Sequence, residues 1–303
     1  MAPMAVPIPF VREMGFTYGE AEEVSPLVRR VVARNPSLFT LYGTNTYLVG
    51  RSQVAVIDPG PALKEHRAAL RKALGGATVT HILVTHRHLD HCEAAAALAA
   101  ETGAVLAAGT PGTAGALHAG HSHEEDVDST FAPLAALRAG SRLEGPDWRL
   151  EVVPTPGHTS DHLCFSLPDE GLLFTGDHVM GWSTSVVIPP DGDMRAYVAS
   201  LRLLQSRREK TYLPGHGPQV ADPPHYLAAL IAHRAEREAG ILSALAGGRH
   251  TIPAIVELVY AAIDPRLHPA AGLSVLAHLR ALVAERRVVC HGELGLEAAY
   301  RFH

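Results

Sequence analysis

The segment Thr85-His86-Arg87-His88-Leu89-Asp90-His91 gathers three imidazoles and a carboxylate within a few residues. Imidazole nitrogen and carboxylate oxygen are donors that a borderline divalent cation accepts, and a catalytic site must also leave one position open to water. Three further short segments carry the same donor types: Pro156-Gly157-His158, Gly176-Asp177 and Gly215-His216-Gly217. His86, His88, Asp90, His91, His158, Asp177 and His216 together would serve two ions with room for a hydroxide. A single such segment could arise in an inert scaffold, where its residues cap helices or satisfy a core. Four of them are hard to account for in that way.

Each donor segment lies where a predicted strand ends. Phe39 to Val49 and Val54 to Ile57 read as strands separated by a turn at Gly50 and closed by Asp58-Pro59-Gly60. A helix is predicted over Ala62 to Leu74, stopped by Gly75 and Gly76. Val79 to Thr85 is a β-branched strand that runs into the histidine cluster, and the alanine-rich stretch after the cluster is helical. Ala104 to Ala107, Arg149 to Val153, His162 to Leu167, Gly171 to Thr175 and Thr211 to Leu213 are further short strands, with a helix from Met194 to about Arg208. Gly109 to Gly140 reads as loop and helix. From Pro224 the pattern becomes mainly helical, over Tyr226 to Leu245, Ile252 to Ile263 and Ala270 to Arg286, and a hairpin is predicted between Arg287 and Tyr300. Turn chemistry at Ala221-Asp222-Pro223-Pro224 divides the chain into residues 1–222, which carry the donors, and a small helical, winged-helix-like domain over 223–303.

Composition narrows the class. The chain has 303 residues, 47% hydrophobic and 19% charged, enough to bury a sizeable core. A formal net charge of -5 gives no general attraction to nucleic acid or anionic membrane. Met1 to Phe10 has neither a basic start nor a continuous apolar core, and no uninterrupted apolar stretch reaches membrane-span length, so a cytoplasmic protein without membrane association is expected. Cys92, Cys164 and Cys290 are too few and too widely spaced for a disulfide framework and are read as reduced thiols.

The order HxHxDH, PGH, GD, GHG, each motif at a strand end, resembles the metallo-β-lactamase superfamily over roughly residues 39–220. That resemblance implies an α/β fold, a four-layer αββα sandwich. It implies one metal held by His86, His88 and His158, a second held by Asp90, His91 and His216, and Asp177 bridging the two. Asp58, in Ile57-Asp58-Pro59-Gly60, matches a position whose carboxylate orients ligating imidazoles without itself ligating. Many family members continue the DH pair with small glycine-rich residues. This chain has Cys92-Glu93-Ala94-Ala95, which leaves the ligands intact but alters the adjoining loop. Phe174 to Met194, the Leu41 to Val49 stretch and the helical tail resemble a subgroup of mitochondrial lactamase-like proteins (β-lactamase-like protein 2) that cut single-stranded RNA. That subgroup also resembles glyoxalase II and fungal thioesterases.

The implied activity is hydrolysis by a hydroxide bridging two zinc ions, with iron or manganese also compatible with the donors, and with Asp90 or a bound water handling the proton. Metals of this kind define the reaction type and leave the substrate open. A small thioester, ester or lactam is the first expectation, and single-stranded RNA cleavage the alternative. Residues 223–303 carry eight arginines and no lysine against seven carboxylates, so phosphate binding there lacks its main driving force. That domain is expected to shape the substrate cleft or to make a homodimer contact. From motif proximity, Tyr42, Asn45, Trp182, Ser183 and Thr184 are the candidate substrate contacts. His178 should point away from Asp177 and either support the ligands from behind or serve packing; His121 and His123 are read as a solvated loop, and Cys92 as a buried helix residue.

Overall fold

The computed structural model describes residues 7–110, 128 and 131–303. Its first sheet runs in the order β1 (Ala21–Glu23), β2 (Val28–Val32), β3 (Asn45–Val49), β4 (Gln53–Ile57), β5 (Thr78–Val84), β6 (Val105–Ala108) and β7 (Ala135–Ala136). Strands β1 to β4 pair antiparallel and β4 to β7 parallel. Parallel neighbours need a crossover. Helix α1 (Lys64–Leu74) provides one between β4 and β5, and α2 (Leu89–Cys92) with α3 (Ala95–Thr102) provide the next. In the second sheet β8 (Arg142–Glu144), β9 (Arg149–Pro154), β10 (Leu163–Leu167), β11 (Leu172–Gly176) and β12 (Thr211–Pro214) lie in the order β12-β11-β10-β9-β8. Helix α4 (Met194–Gln205) connects the parallel pair β11 and β12.

Period-two alternation sorts these strands into layers. Tyr47, Val49, Ala55, Ile57 and Leu83 from the first sheet meet Leu150, Val152, Phe165, Leu167 and Phe174 from the second in one buried core. The intervening residues of the first sheet, among them Leu48, Val54, Val56 and Ile82, face Leu70 of α1 and Leu98 of α3. Those of the second sheet, Val153, Cys164, Leu173 and Tyr212, face Tyr197, Leu201 and Leu204 of α4. The result is the four-layer αββα sandwich that the motif order implied.

The C-terminal part consists of α5 (Pro223–Ala246), α6 (Ile252–Val259), α7 (His268–Ala284) and the antiparallel pair β13 (Val288–His291) and β14 (Ala299–Phe302). Asp222 caps α5 by accepting from the His225 amide. The first half of α5 belongs to the core above α4 through Tyr226, Leu227 and Leu230. Its second half, through Ile241 and Leu245, joins α6, α7 and Tyr300 in a separate core. The stretch Pro265–Ala284 is long and apolar enough to cross a membrane, although Arg266 and Arg280 interrupt its apolar run. Its buried residues Val275, Leu279 and Leu282 are taken up by that second core.

The strand expected from Phe39 begins only at Asn45. Leu41 and Gly43 adopt φ of 57° and 127°, and the residues before β3 fold into turns. β1, β2 and β8 were not read from the sequence. The region predicted as loop and helix between Gly109 and Gly140, with His121 and His123, falls largely outside the described residues; within it β7 is a short strand. Phe165 is fully buried between the sheets. Phe165→Ala should cost about 3–5 kcal/mol in denaturant unfolding, from lost transfer energy plus the cavity left behind. A loss below about 1 kcal/mol would mean that this interface does not form the core.

Candidate metal centre

The donors converge because parallel strands end side by side. β4 ends at Ile57, opposite Leu83 of β5 after a register shift between Val54 and Ala55, so Asp58 comes close to Thr85 just past the end of β5. Asp58 adopts φ of 50°, a region that non-glycine residues occupy rarely and only when their surroundings fix them. Its carboxylate is buried and fully engaged: Oδ1 accepts from the Thr85 amide at 2.8 Å, and Oδ2 accepts from Thr85 Oγ1 at 2.8 Å and from His91 Nδ1 at 2.9 Å. With its hydroxyl proton committed to Asp58, Thr85 Oγ1 accepts from His86 Nδ1 at 3.0 Å. The outer nitrogens of His158 and His216 donate to the carbonyls of Val186 (2.6 Å) and Gly43 (3.2 Å).

Those four bonds fix tautomers. With Nδ1 carrying the proton in His86, His91, His158 and His216, each Nε2 presents a lone pair to the interior when the ring is neutral. His86 Nε2 lies 2.9 Å from His88 Nδ1, and His158 Nε2 lies 3.2 Å from the same atom. His91 Nε2 lies 3.2 Å from His216 Nε2. Lone pairs aimed at one another repel unless a proton or a cation lies among them. Two donor groups result, His86, His88, His158 and Asp177 in one and Asp90, His91 and His216 in the other, with the ligand atoms of each within 4.8 Å of one another. Asp177 faces both. Its Oδ1 is 3.4 Å from His91 Nε2 and 3.4 Å from His216 Nε2, and its Oδ2 is 3.8 Å from His158 Nε2. Asp90 turns Oδ2 toward His216 Nε2 at 3.1 Å and His91 Nε2 at 3.5 Å, and Asp177 Oδ1 is buried without a hydrogen-bond partner, as expected of an oxygen shaped for a cation. The residues therefore fit a pair of divalent ions.

Glycines permit this closeness. A Cβ at Gly215 would come within 2.6 Å of His91 Cε1 and 2.8 Å of Asp177 Oδ1, and one at Gly176 within 2.7 Å of Thr85 Oγ1. Glu93, in the unusual stretch after the DH pair, accepts from the Ala62 amide at 2.8 Å, and the Gly60 amide donates to the His91 carbonyl. This bracing ties the ligand helix α2 to the loop after Asp58.

Protonation divides the centre in two. Burial, reinforced by neighbouring imidazoles, holds His86 well below the ordinary histidine range and His88 down at about 3. For His91 and His216 burial acts the same way, but Asp90 and Asp177 outweigh it, raising His91 well above its ordinary value and His216 to about 10. Burial would raise the two carboxyls, yet those imidazoles carry both below the usual carboxylate range.

Of the candidate substrate contacts, Asn45 is corrected. It is fully buried, and its Nδ2 donates to the carbonyls of Pro214 (3.0 Å) and Gly217 (2.8 Å), holding the loop of His216 rather than meeting a ligand. Trp182 is also buried and packs on Gly217, whose Cβ would lie 2.5 Å from Trp182 Cδ1. Tyr42, Ser183 and Thr184 are half-buried; the Tyr42 ring packs against Phe16. His178 stacks edge-on against Tyr197, consistent with a packing role, and Cys92 is buried with its thiol pushed up by burial. His162 was missed from the sequence. Its ring stacks on His86, Nε2 accepts from the Asp177 amide at 3.2 Å, and Nδ1 bonds Thr155 Oγ1 at 2.9 Å. His162 lies one residue before β10, and Thr155 one residue past β9, so neither falls in the alternation that marks a strand.

Comparison with known proteins agrees with this geometry. Residues 39–216 match the Metallo-beta-lactamase superfamily, and residues 251–296 match the Beta-lactamase associated winged helix domain. The chain belongs to the metallo-β-lactamase superfamily. The lactamase-like protein adaB of Aspergillus niger is 31% identical over 293 residues, covering 90% of this chain and 86% of its own length. The atrochrysone carboxyl ACP thioesterase of Aspergillus terreus is 31% identical over 235 residues, 75% of this chain and 66% of its own. A β-lactamase domain protein from Burkholderia ambifaria has the same fold at a TM-score of 0.80 and 22% identity, with 96% of each chain covered. The C-terminal helices and hairpin of this metallo-β-lactamase-fold chain thus form a winged-helix domain.

Two outcomes test the centre. Asp58→Asn should weaken metal binding about 10–100-fold in chelator competition, with the far-ultraviolet circular dichroism unchanged; undiminished affinity would remove Asp58 from the orienting role. Because a cation must displace the protons on His91 and His216, zinc uptake at pH 7 should release protons, and affinity should rise with pH until about 10, where His216 deprotonates unaided. Calorimetry in buffers of differing ionisation enthalpy measures the release. A buffer-independent heat would contradict it.

Proposed function

We propose that this metallo-β-lactamase-fold hydrolase is a dinuclear metal enzyme acting on acyl substrates, thioesters first. The observation that carries the reading is Asp177, with one oxygen toward each of two donor groups. His86, His88 and His158 would hold one ion, Asp90, His91 and His216 the other, and zinc suits this nitrogen-and-oxygen set, as iron also does. When bound, such a pair lowers the pKa of a water into the neutral range, polarises an acyl carbonyl and stabilises the oxyanion.

The protein's own contribution is orientation and proton handling. Asp58 and Thr85 hold His91 and His86 in one tautomer, and the Val186 and Gly43 carbonyls do the same for His158 and His216. Asp90 Oδ1, buried and unpartnered, is the atom placed to take a proton from the attacking water and pass it to the leaving group. A thiolate leaving group needs little such help.

Thioester chemistry is favoured by the named activity of the Aspergillus terreus relative, and charge disfavours RNA cleavage. In the winged-helix domain Arg266 is paired with Asp264, Arg287 with Glu238 and Glu285, and Arg249 lies 3.9 Å from Glu257, while Arg234 is buried. Arg280, Arg286 and Arg301 remain as exposed cations, but with eight arginines against seven carboxylates over residues 223–303 the domain offers little net charge to a phosphate backbone.

The test is a panel of acyl thioesters, esters, β-lactams and single-stranded RNA, assayed beside elemental analysis of wild type and His88→Ala. Wild type should carry about two metal equivalents and hydrolyse thioesters. His88→Ala should lose metal and at least about 100-fold in kcat/KM. Turnover by metal-free protein, or RNA cleavage without thioester hydrolysis, would overturn the reading.

A further inference from the structure

A cavity of about 750 Å³ opens between the catalytic sandwich and the winged-helix domain, within the size range of small-molecule pockets. Phe39 and Ile188 line it from the sandwich, and Val256 of α6, Leu273 of α7 and Leu296 from the loop between β13 and β14 line it from the other side. Leu38 and Leu296, at its mouth, are 63% and 39% exposed. Large apolar side chains left open on both facing domains mark a binding groove more often than a passive surface. None of these side chains carries a hydrogen-bonding group.

The cavity adjoins the donor cluster through the two loops that hold it. Ile188 is two residues beyond Val186, whose carbonyl binds His158, a reach of at most about 7 Å along the chain. Phe39 is four residues before Gly43, whose carbonyl binds His216, at most about 14 Å away. Charge enters the lining at the exposed Glu257, Arg266 and Glu297, and the Arg266 guanidinium is already taken by Asp264. Glu257 in turn lies 3.9 Å from Arg249, and His268 adds one imidazole to a lining that is otherwise mostly apolar, so the cavity suits a neutral, apolar occupant better than a charged one.

We propose that this interdomain cavity receives the apolar acyl chain of the substrate, so that the winged-helix domain sets specificity for long or aromatic acyl groups. The inference rests on the acyl-hydrolase reading and names its substrate class. Burial of each added methylene should then raise kcat/KM by about twofold to fourfold until the cavity is filled.

Hydrolysis of acetyl to decanoyl thioesters of N-acetylcysteamine by the metal-loaded full chain tests this, beside titration with the neutral fluorophore N-phenyl-1-naphthylamine. Leu273→Trp fills the cavity from the half-buried face of α7, and Leu296→Asp places a charge at its exposed mouth, where folding is not at risk. The expected result is a steep rise with chain length and one bound fluorophore in wild type, with the rise flattened at least tenfold and fluorophore binding lost in both variants. Thioester hydrolysis with a flat chain-length profile, or a steep profile that both variants keep, would overturn the cavity's role and leave the hydrolase reading standing. Failure to hydrolyse any thioester would overturn that reading instead, and the fluorophore titration would then decide by itself whether the cavity takes an apolar ligand: binding lost in both variants supports it, and no binding by wild type overturns it.

Discussion

One buried carboxylate joins the sheet to the chemistry. Asp58 receives the Thr85 amide, the Thr85 hydroxyl and the His91 ring, and through Thr85 it also sets His86. A buried carboxylate is costly unless it is hydrogen-bonded, and these three donors engage both of its oxygens. The arrangement exists only because β4 and β5 are parallel neighbours that end side by side, which in turn requires α1 to cross between them. Fold topology and ligand tautomer are thus two ends of the same constraint, and the left-handed backbone at Asp58 is part of its cost.

What that constraint builds is a centre with two electrostatic characters. The His86 half is neutral and desolvated, so its nitrogens stand as lone pairs. The His91 half stores protons between two carboxylates. A cation satisfies both, accepting lone pairs in one half and replacing protons in the other. Asp177, facing each half with a different oxygen, links them. The unpartnered carboxylate oxygens and the glycines that let His91, Asp177 and Thr85 approach one another belong to the same design.

The donors were legible in the sequence because they are local. His86 to His91 fall within a single turn after a strand, and each other donor sits in a Gly-containing strand exit. The sandwich was legible where alternation was strong, as in β9 to β11. It was not at β2, where half-buried arginines break the apolar pattern, nor at Phe39 to Thr44, whose β-like composition is overruled by left-handed turns. Asn45 could not be read correctly, since its partners lie 169 and 172 residues away and only the closed fold brings them together. His162 was hidden for a related reason: its job is to hold the Asp177 backbone across two neighbouring strands, and no spacing in the sequence marks that. The acyl-chain role proposed for the winged-helix domain, expected from the sequence to shape the substrate cleft or to make a homodimer contact, rests on the surface it shares with the sandwich.

The central claim, that two ions share Asp177, is tested most directly by anomalous X-ray diffraction from crystals of the zinc-loaded protein, recorded on both sides of the zinc edge. The account predicts two anomalous peaks, one among His86, His88 and His158 and one among Asp90, His91 and His216, with Asp177 contacting both. A single peak, or zinc bound elsewhere with these seven side chains uncoordinated, would contradict it.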